Sequence, residues 1–197
     1  MAESRIGILA LQGAFREHRQ ALERLGAETV EVRKARDLEN LDAIVLPGGE
    51  STTIGKLLVE LEMLEPLKNM LEGGMPAFGT CAGLILLARD IEDSSQPRLG
   101  VLDVKVRRNA FGRQVDSFET ALSVNGLDPA PYPAVFIRAP VILEIGQDVQ
   151  PLAHILENGE ERPVAVRQGN LLAGSFHPEL TSDDRLHRYF LKMCRNR

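Results

Sequence analysis

The strongest constraint on this chain is a five-residue turn, Gly79-Thr80-Cys81-Ala82-Gly83, set between two apolar runs. The run before it, Pro76 to Gly79, reads as a short strand, and the run after it, Ala82 to Asp90, reads as a helix. A chain that leaves a strand and enters a helix in so few residues brings two backbones close together and bends sharply at the central residue. Small neighbours are a requirement of that geometry, and two glycines meet it. The pattern has the form of a nucleophile elbow, with cysteine where hydrolases carry serine. The helix that follows offers backbone N–H groups and a partial positive charge, conditions that favour a thiolate. The competing reading is a buried structural cysteine in a glycine-rich turn.

Around this turn the first half of the chain alternates between two periods. Arg5 to Leu11, Thr29 to Val32 and Ala43 to Leu46 are short apolar runs that read as buried strands. Phe15, His18, Leu22 and Leu25 recur at helical spacing, and Gly26 sits where a helix stops. Ser51 to Glu72 is largely helical, with a break expected near Pro66, which lacks an amide donor. Strand, helix, strand, helix predicts a layered α/β fold: a mostly parallel sheet with helices on both faces. The second half reads differently. Val101 to Val106, Ser117 to Val124, Ala134 to Ile137 and Ile142 to Ile145 look like strands joined by turns. Gly169-Asn170 between Pro163–Arg167 and Leu171–Phe176 is a hairpin signal, so an antiparallel portion is expected there. Leu186, Tyr189, Phe190 and Met193 form the apolar stripe of a last helix, capped by Ser182, with Asp183 and Asp184 at its positive end and Arg195 and Arg197 at its negative end. No linker, repeat or low-complexity tract divides the 197 residues, so one domain over 1–197 is expected.

A nucleophile needs a base, and a base needs an orienting group. Of the four histidines, His18 and His187 fall in helices and His154 in a strand-like piece, and all three read as solvated or packed residues. His177 ends an apolar strand and is followed by Pro178-Glu179. Proline pushes the residue before it to extended backbone. Residues i and i+2 of an extended chain share a side, so Glu179 can fix the imidazole tautomer of His177. The competing reading is a helix-entry turn whose glutamate offsets a dipole. Pro47-Gly48-Gly49-Glu50-Ser51 closes the third strand. It is not a phosphate loop: Gly49 and Gly55 are separated by five residues, and Leu57 follows Lys56 where Ser or Thr would hold Mg²⁺. It can be a nest of backbone N–H groups for an oxyanion, or a strand-to-helix turn capped by Ser51, and the two are compatible.

Composition removes other classes. With 23 basic and 28 acidic residues the net charge is −5, which argues against binding nucleic acid through a basic field. The longest apolar stretches, such as Ile8 to Leu11 and Leu84 to Ala88, are far short of the ~20 residues of a membrane helix. The opening residues lack the long apolar segment of a signal peptide. Two remote cysteines, Cys81 and Cys194, give no disulfide framework, and a reducing cytoplasm is the expected home. No cluster has metal-ligand spacing, and no cofactor is expected.

Taken together the motifs resemble the class I glutamine amidotransferases, which use a Cys-His-Glu triad. Within that group the chain is similar to the glutaminase subunits of pyridoxal 5′-phosphate synthase. The segments that carry the likeness are Leu11-Gln12-Gly13, Leu46 to Thr53, Gly79 to Leu84, Arg108-Asn109-Ala110-Phe111-Gly112-Arg113-Gln114, Phe136-Ile137-Arg138-Ala139-Pro140 and Ser175 to Leu180. The elbow and the His-Pro-Glu are shared by many amidotransferases; the Gly-Gly-Glu-Ser-Thr, Arg-Asn-x-Phe-Gly-Arg-Gln and Ile-Arg-Ala-Pro segments select this family.

The resemblance implies Cys81 as nucleophile, His177 as base and then acid, and Glu179 as its orienting carboxylate. It implies that Gly49, Glu50, Ser51, Arg108, Ile137 and Arg138 hold L-glutamine, an arginine forking onto its α-carboxylate and Glu50 taking its α-ammonium. The N–H groups of Gly49 and Ala82 are the expected oxyanion donors. The released ammonia would pass to a synthase subunit that forms ring assemblies, docking near Gln12-Gly13 at the sheet edge. Arg113 and Gln114 receive no role. Two alternatives stay open: an amidotransferase or γ-glutamyl hydrolase serving another acceptor, and a non-catalytic α/β binding module.

Overall fold

The computed structural model describes residues 4–108, 117–157 and 159–195. The Asn109 to Gln114 motif, with Arg113 and Gln114, lies outside the described residues, as does Arg197. In chain order the elements are β1 (Arg5–Leu9), α1 (Phe15–Arg24), β2 (Glu28–Val32), β3 (Ala43–Leu46), α2 (Ser51–Glu60), α3 (Leu64–Glu72), β4 (Ala77–Thr80), α4 (Ala82–Leu87) and β5 (Ala88–Ile91). The second half adds β6 (Leu102–Arg107), β7 (Ser117–Leu122), β8 (Tyr132–Ile137), β9 (Val141–Ile145), β10 (Gln150–Glu157), β11 (Glu160–Gln168), β12 (Leu171–Gly174) and α5 (Arg185–Arg195).

Among the described residues the largest sheet runs β10-β11-β12-β4-β3-β1-β2. Its pairings from β12 to β2 are parallel, and β11 and β10 add antiparallel at one edge. The expected α/β class with an antiparallel portion is what the chain adopts, and Gln168 pairs with Leu171 across the Gly169-Asn170 turn. A three-stranded sheet β5-β6-β9 and a hairpin β7-β8 complete the strands.

The central strands are apolar throughout because both faces are covered. Alternation sorts their side chains. Ile44, Leu46, Ala77, Leu171 and Ala173 face one core with α2, α3, α4 and the three-stranded sheet. Ile6, Ile8, Ala43, Val45, Phe78 and Leu172 face the other, with α1, α5 and the β7-β8 hairpin. Phe78 and Phe190 are fully buried and meet with ring centroids 5.6 Å apart; truncating such a ring to Ala costs about 3–5 kcal/mol. Among the described residues no helix is long and apolar enough to cross a membrane.

Several local expectations fail, each for a physical reason. The run from Ala82 to Asp90 is not one helix. The helix stops at Leu87, and Ala88–Ile91 becomes a strand paired with β6, because a continuous apolar run carries no period to tell helix from strand. The long helical segment breaks at Leu61–Met63, where Glu62 has φ +55°. Pro66 sits in the first turn of α3, where its missing N–H costs nothing. Ser182 does not cap the last helix. Asp183 Oδ1 accepts from Arg185 N at 3.0 Å, and the helix begins at Arg185. The Gln12-Gly13 turn does not lie at the sheet edge either, since β1 is flanked by β3 and β2.

Candidate active site

The site is assembled by strand register. Pairing of β12 with β4 sets Gly174 opposite Thr80, so the residues just beyond each strand leave the sheet side by side. Cys81 N donates to Gly174 O at 2.8 Å. Two residues past Ser175 comes His177, whose N–H is held by Val135 O of β8 at 2.8 Å. This is the carboxyl end of a parallel sheet, where open α/β folds build sites.

The elbow has the strain its sequence implies. Cys81 has φ +49° and ψ −101° and is the single residue between β4 and α4. A non-glycine residue held there costs about 1–3 kcal/mol. Close approach explains a neighbouring glycine: a Cβ on Gly83 would stand 2.0 Å from Leu46 O. The Cys81 thiol points toward Ile137 O at 3.9 Å, and Cys81 and the His177 ring sit side by side under Gly48. His177 Nδ1 lies 2.7 Å from Glu179 Oε1. All three side chains are buried. The expected Cys81, His177 and Glu179 therefore form one chain of contacts.

Burial by itself pulls the His177 imidazole down. Hydrogen bonds to Cys81 and Glu179, and the charges of both, outweigh it and push the ring up to about 10. Burial pushes the Glu179 carboxyl up, but His18 and His177 together hold it below the usual carboxylate value. The arrangement thus favours an imidazolium at His177 paired with the Glu179 carboxylate.

The Gly48-Gly49 turn crosses directly over this pair. A Cβ on Gly48 would meet His177 Cε1 at 2.4 Å, so no larger residue fits. Gly49 is adjacent, and Ala82 opens α4, where N–H groups lack intrahelical acceptors. The Gln12-Gly13 turn braces the same segment: Gln12 Oε1 accepts from Glu50 N at 2.7 Å, and Ala14 N donates to Gly48 O at 3.0 Å.

Facing the solvent side is a second polar group. Glu50, not Ser51, caps α2: its carboxylate accepts from Thr53 N at 2.5 Å, and Ser51 is the first helical residue. The longer glutamate reaches the N–H three residues on and leaves the serine hydroxyl to Gln96 Oε1, 3.4 Å away. Arg108 donates to Gln96 Oε1 at 2.8 Å, to Thr52 Oγ1 at 2.9 Å and to Glu50 Oε1 at 3.3 Å. Burial pushes the Glu50 carboxyl up, yet the Thr53 and Thr52 hydrogen bonds and the Arg108 charge hold it down. Ile137 and Arg138 are exposed at the end of β8, Arg138 with φ +42°.

Sequence reasoning missed Gln96, which carries no motif, and gave no role to Thr52, although it ends the Gly-Gly-Glu-Ser-Thr segment. It also missed the connection behind the triad. His18 and His187 are fully buried, with His18 Nδ1 2.9 Å from His187 Nε2. His18 Nε2 lies 2.9 Å from Thr80 Oγ1 and 3.3 Å from Glu179 Oε2. They are packed rather than solvated, and a histidine within the apolar spacing of α1 was the available signal. His154 is exposed, as its bland reading allows.

Comparison with known proteins gives consistent matches. A model described as the SNO glutamine amidotransferase family matches residues 8–196. A protein of Moorella thermoacetica named pyridoxal 5′-phosphate synthase subunit PdxT is 59% identical, over 96% of this chain and 98% of its own length. One of the same name from Pelotomaculum thermopropionicum is 58% identical, over 96% and 95%. A crystal structure described as a glutamine amidotransferase superposes with a TM-score of 0.90 at 55% identity, covering 96% of this chain and 98% of that one. The structure of PurLQS from Thermotoga maritima, 19% identical with a TM-score of 0.70 over 97% and 99%, shares the fold.

Proposed function

Because the chain belongs to the SNO glutamine amidotransferase family, we propose that it is the glutaminase subunit of a pyridoxal 5′-phosphate synthase. It hydrolyses L-glutamine to L-glutamate and passes the ammonia to a synthase subunit that builds the vitamin B6 cofactor. The observation that carries this reading is the contact chain from Cys81 through His177 to Glu179 at a strained turn. One domain does this work, in the cytoplasm.

Cys81 attacks the side-chain amide carbon of glutamine as a thiolate. The tetrahedral oxyanion is met by the N–H groups of Ala82 and Gly49, donors fixed before the charge develops. His177, held as imidazolium by Glu179, protonates the leaving nitrogen, and ammonia departs. A glutamyl thioester remains. The neutral imidazole then takes a proton from water, the resulting hydroxide attacks the thioester, and glutamate leaves as the thiolate returns. Arg108 pairs with the substrate α-carboxylate in a forked hydrogen bond, and Glu50 pairs with its α-ammonium. Gly49, Ser51, Ile137 and Arg138 complete the pocket wall. The existing Glu50–Arg108 pair is half-exposed, and pairs of that kind are worth about 0–1 kcal/mol, so exchanging it for a zwitterion costs little. Gln12 and Gly13, which brace the Gly48-Gly49 turn, lie on the docking side for the synthase.

Glutamine hydrolysis measured with and without the cognate synthase subunit tests the reading. Activity is expected with the synthase and lost in Cys81→Ala, which still binds glutamine. Turnover by Cys81→Ala at the unaltered rate removes the triad from the mechanism.

A further inference from the structure

Glu179 uses one carboxylate oxygen on His177 and turns the other inward, where its side chain is wholly buried. The ring Nε2 of His18 stands 3.3 Å from that second oxygen and 2.9 Å from the hydroxyl of Thr80, the residue before the nucleophile. His187 backs His18 at 2.9 Å. Phe78 stands edge-on to both rings, at 6.0 Å and 5.7 Å. Two imidazoles from α1 and α5 are thus walled into an apolar core on the far side of the triad from substrate.

Among the described residues the second oxygen of Glu179 is buried without a hydrogen-bond partner, and His18 Nε2 is the nitrogen that faces it. We propose that His18 is a positioning residue for the triad: its Nε2–H, aligned by a proton donated from His187 and shared with the Thr80 hydroxyl, is the donor that meets the otherwise unpaired oxygen of Glu179. The inference rests on the glutaminase reading given above.

The Thr80 hydroxyl can accept from His18 Nε2 or donate to it, and the charge on Glu179 selects between the two arrangements. A carboxylate accepts only, so His18 Nε2 must carry hydrogen when it faces Glu179. A neutral His18 then has a lone pair on Nδ1, and His187 must donate to it from Nε2. That leaves His187 Nδ1 without a proton, and among the described residues this atom is buried with no partner. An unmet lone pair costs less than an unmet N–H. Reversing the wire would aim the His18 lone pair at an anion.

Both rings are neutral near neutral pH. Burial lowers His18, with the nearby His177 charge adding to it, while Glu179 and Glu17 pull the other way. Burial and His18 bring His187 down to about 3, against Glu179 and Asp184, with Arg24 on the lowering side. The hold on Glu179 is therefore that of an oriented N–H, present across the working pH range.

The test uses the complex with the cognate synthase subunit. For His18→Leu, kcat is expected to fall about 10- to 100-fold, the loss of one hydrogen bond to a charged group, with KM for glutamine unchanged. The acid limb of kcat moves to higher pH, because a buried carboxylate short of a donor protonates more readily. His18→Gln, whose amide nitrogen reaches the place of Nε2, restores most of kcat and the acid limb. A His18→Leu complex with the parent pH profile and kcat, or a Gln variant no better than Leu, overturns the proposal. Nitrogen-15 NMR of the unaltered protein is a second check that requires no variant to fold. Neutral Nε2–H tautomers at both His18 and His187 are expected; an Nδ1–H tautomer at His18 overturns it. An inactive parent complex would instead strike the glutaminase reading, which the tautomer measurement does not depend on.

Discussion

Two polar clusters flank Cys81, and they are built in opposite ways. Behind it, His177, Glu179, His18 and His187 are buried and stand in a row running from Cys81 into the core, with Glu179 bonded to His177 and His187 to His18. In front, Glu50, Arg108, Thr52 and Gln96 pair among themselves near the surface. The rear cluster is insulated, so each hydrogen bond there is electrostatically strong and each loss leaves an unpaired group. The front cluster is wet, and its partners are exchangeable at small cost. On the proposed reading, chemistry at one atom falls to the insulated cluster and recognition of a charged, arriving molecule to the exchangeable one.

The sharpest way to break this comparison is Glu179→Gln. Removing the charge that sustains the imidazolium is expected to lower kcat about 10³- to 10⁴-fold, the scale seen when a triad acid is neutralised. The alkaline limb of kcat/KM, set by His177 near 10, should shift downward, because burial then acts on the ring with less opposition. A pH profile unchanged in the variant would mean that the rear cluster does not govern His177. Arg108→Ala should do the reverse, raising KM for glutamine about 10- to 100-fold with kcat nearly kept. A fall confined to kcat would place Arg108 with the rear group. The smallest effect is on stability. His187 stays neutral when folded down to about pH 3, whereas an unfolded histidine gains a proton below 6.5. The unfolded state binds more protons in that window, so stability falls as pH falls through it, by about 1.4 kcal/mol per pH unit for each such ring. Urea titrations of His187→Phe between pH 6.5 and 4 should show a shallower slope than the parent; equal slopes would mean that the ring is charged when folded.

What was legible in the sequence divides along the same line. The elbow, the alternation of strands and helices, and the Gly169-Asn170 hairpin are local patterns, and the chain adopts them. His177 and Glu179 were legible because proline fixes their spacing. Which strand lies beside which was not: the pairing of β12 with β4 joins segments about ninety residues apart in sequence and is a property of the folded sheet. The wire from His187 to Glu179 spans α1, α5 and the turn after β12, so no window of sequence contains it. His18 did leave a trace, a polar ring within an apolar stripe. The capping of α2 by Glu50 was hidden by a serine beside it that equally suits the cap.

The β8 strand holds both His177 and Cys81 through main-chain carbonyls: Val135 O accepts from the His177 backbone N–H, and Ile137 O receives the Cys81 thiol. Carbonyl oxygens are the same whatever the residue. The ribbon can therefore trade outward side chains, such as that of Pro133, without touching the gauge it sets between nucleophile and base. Before Ile137, mutational drift on that strand is restrained by its fold.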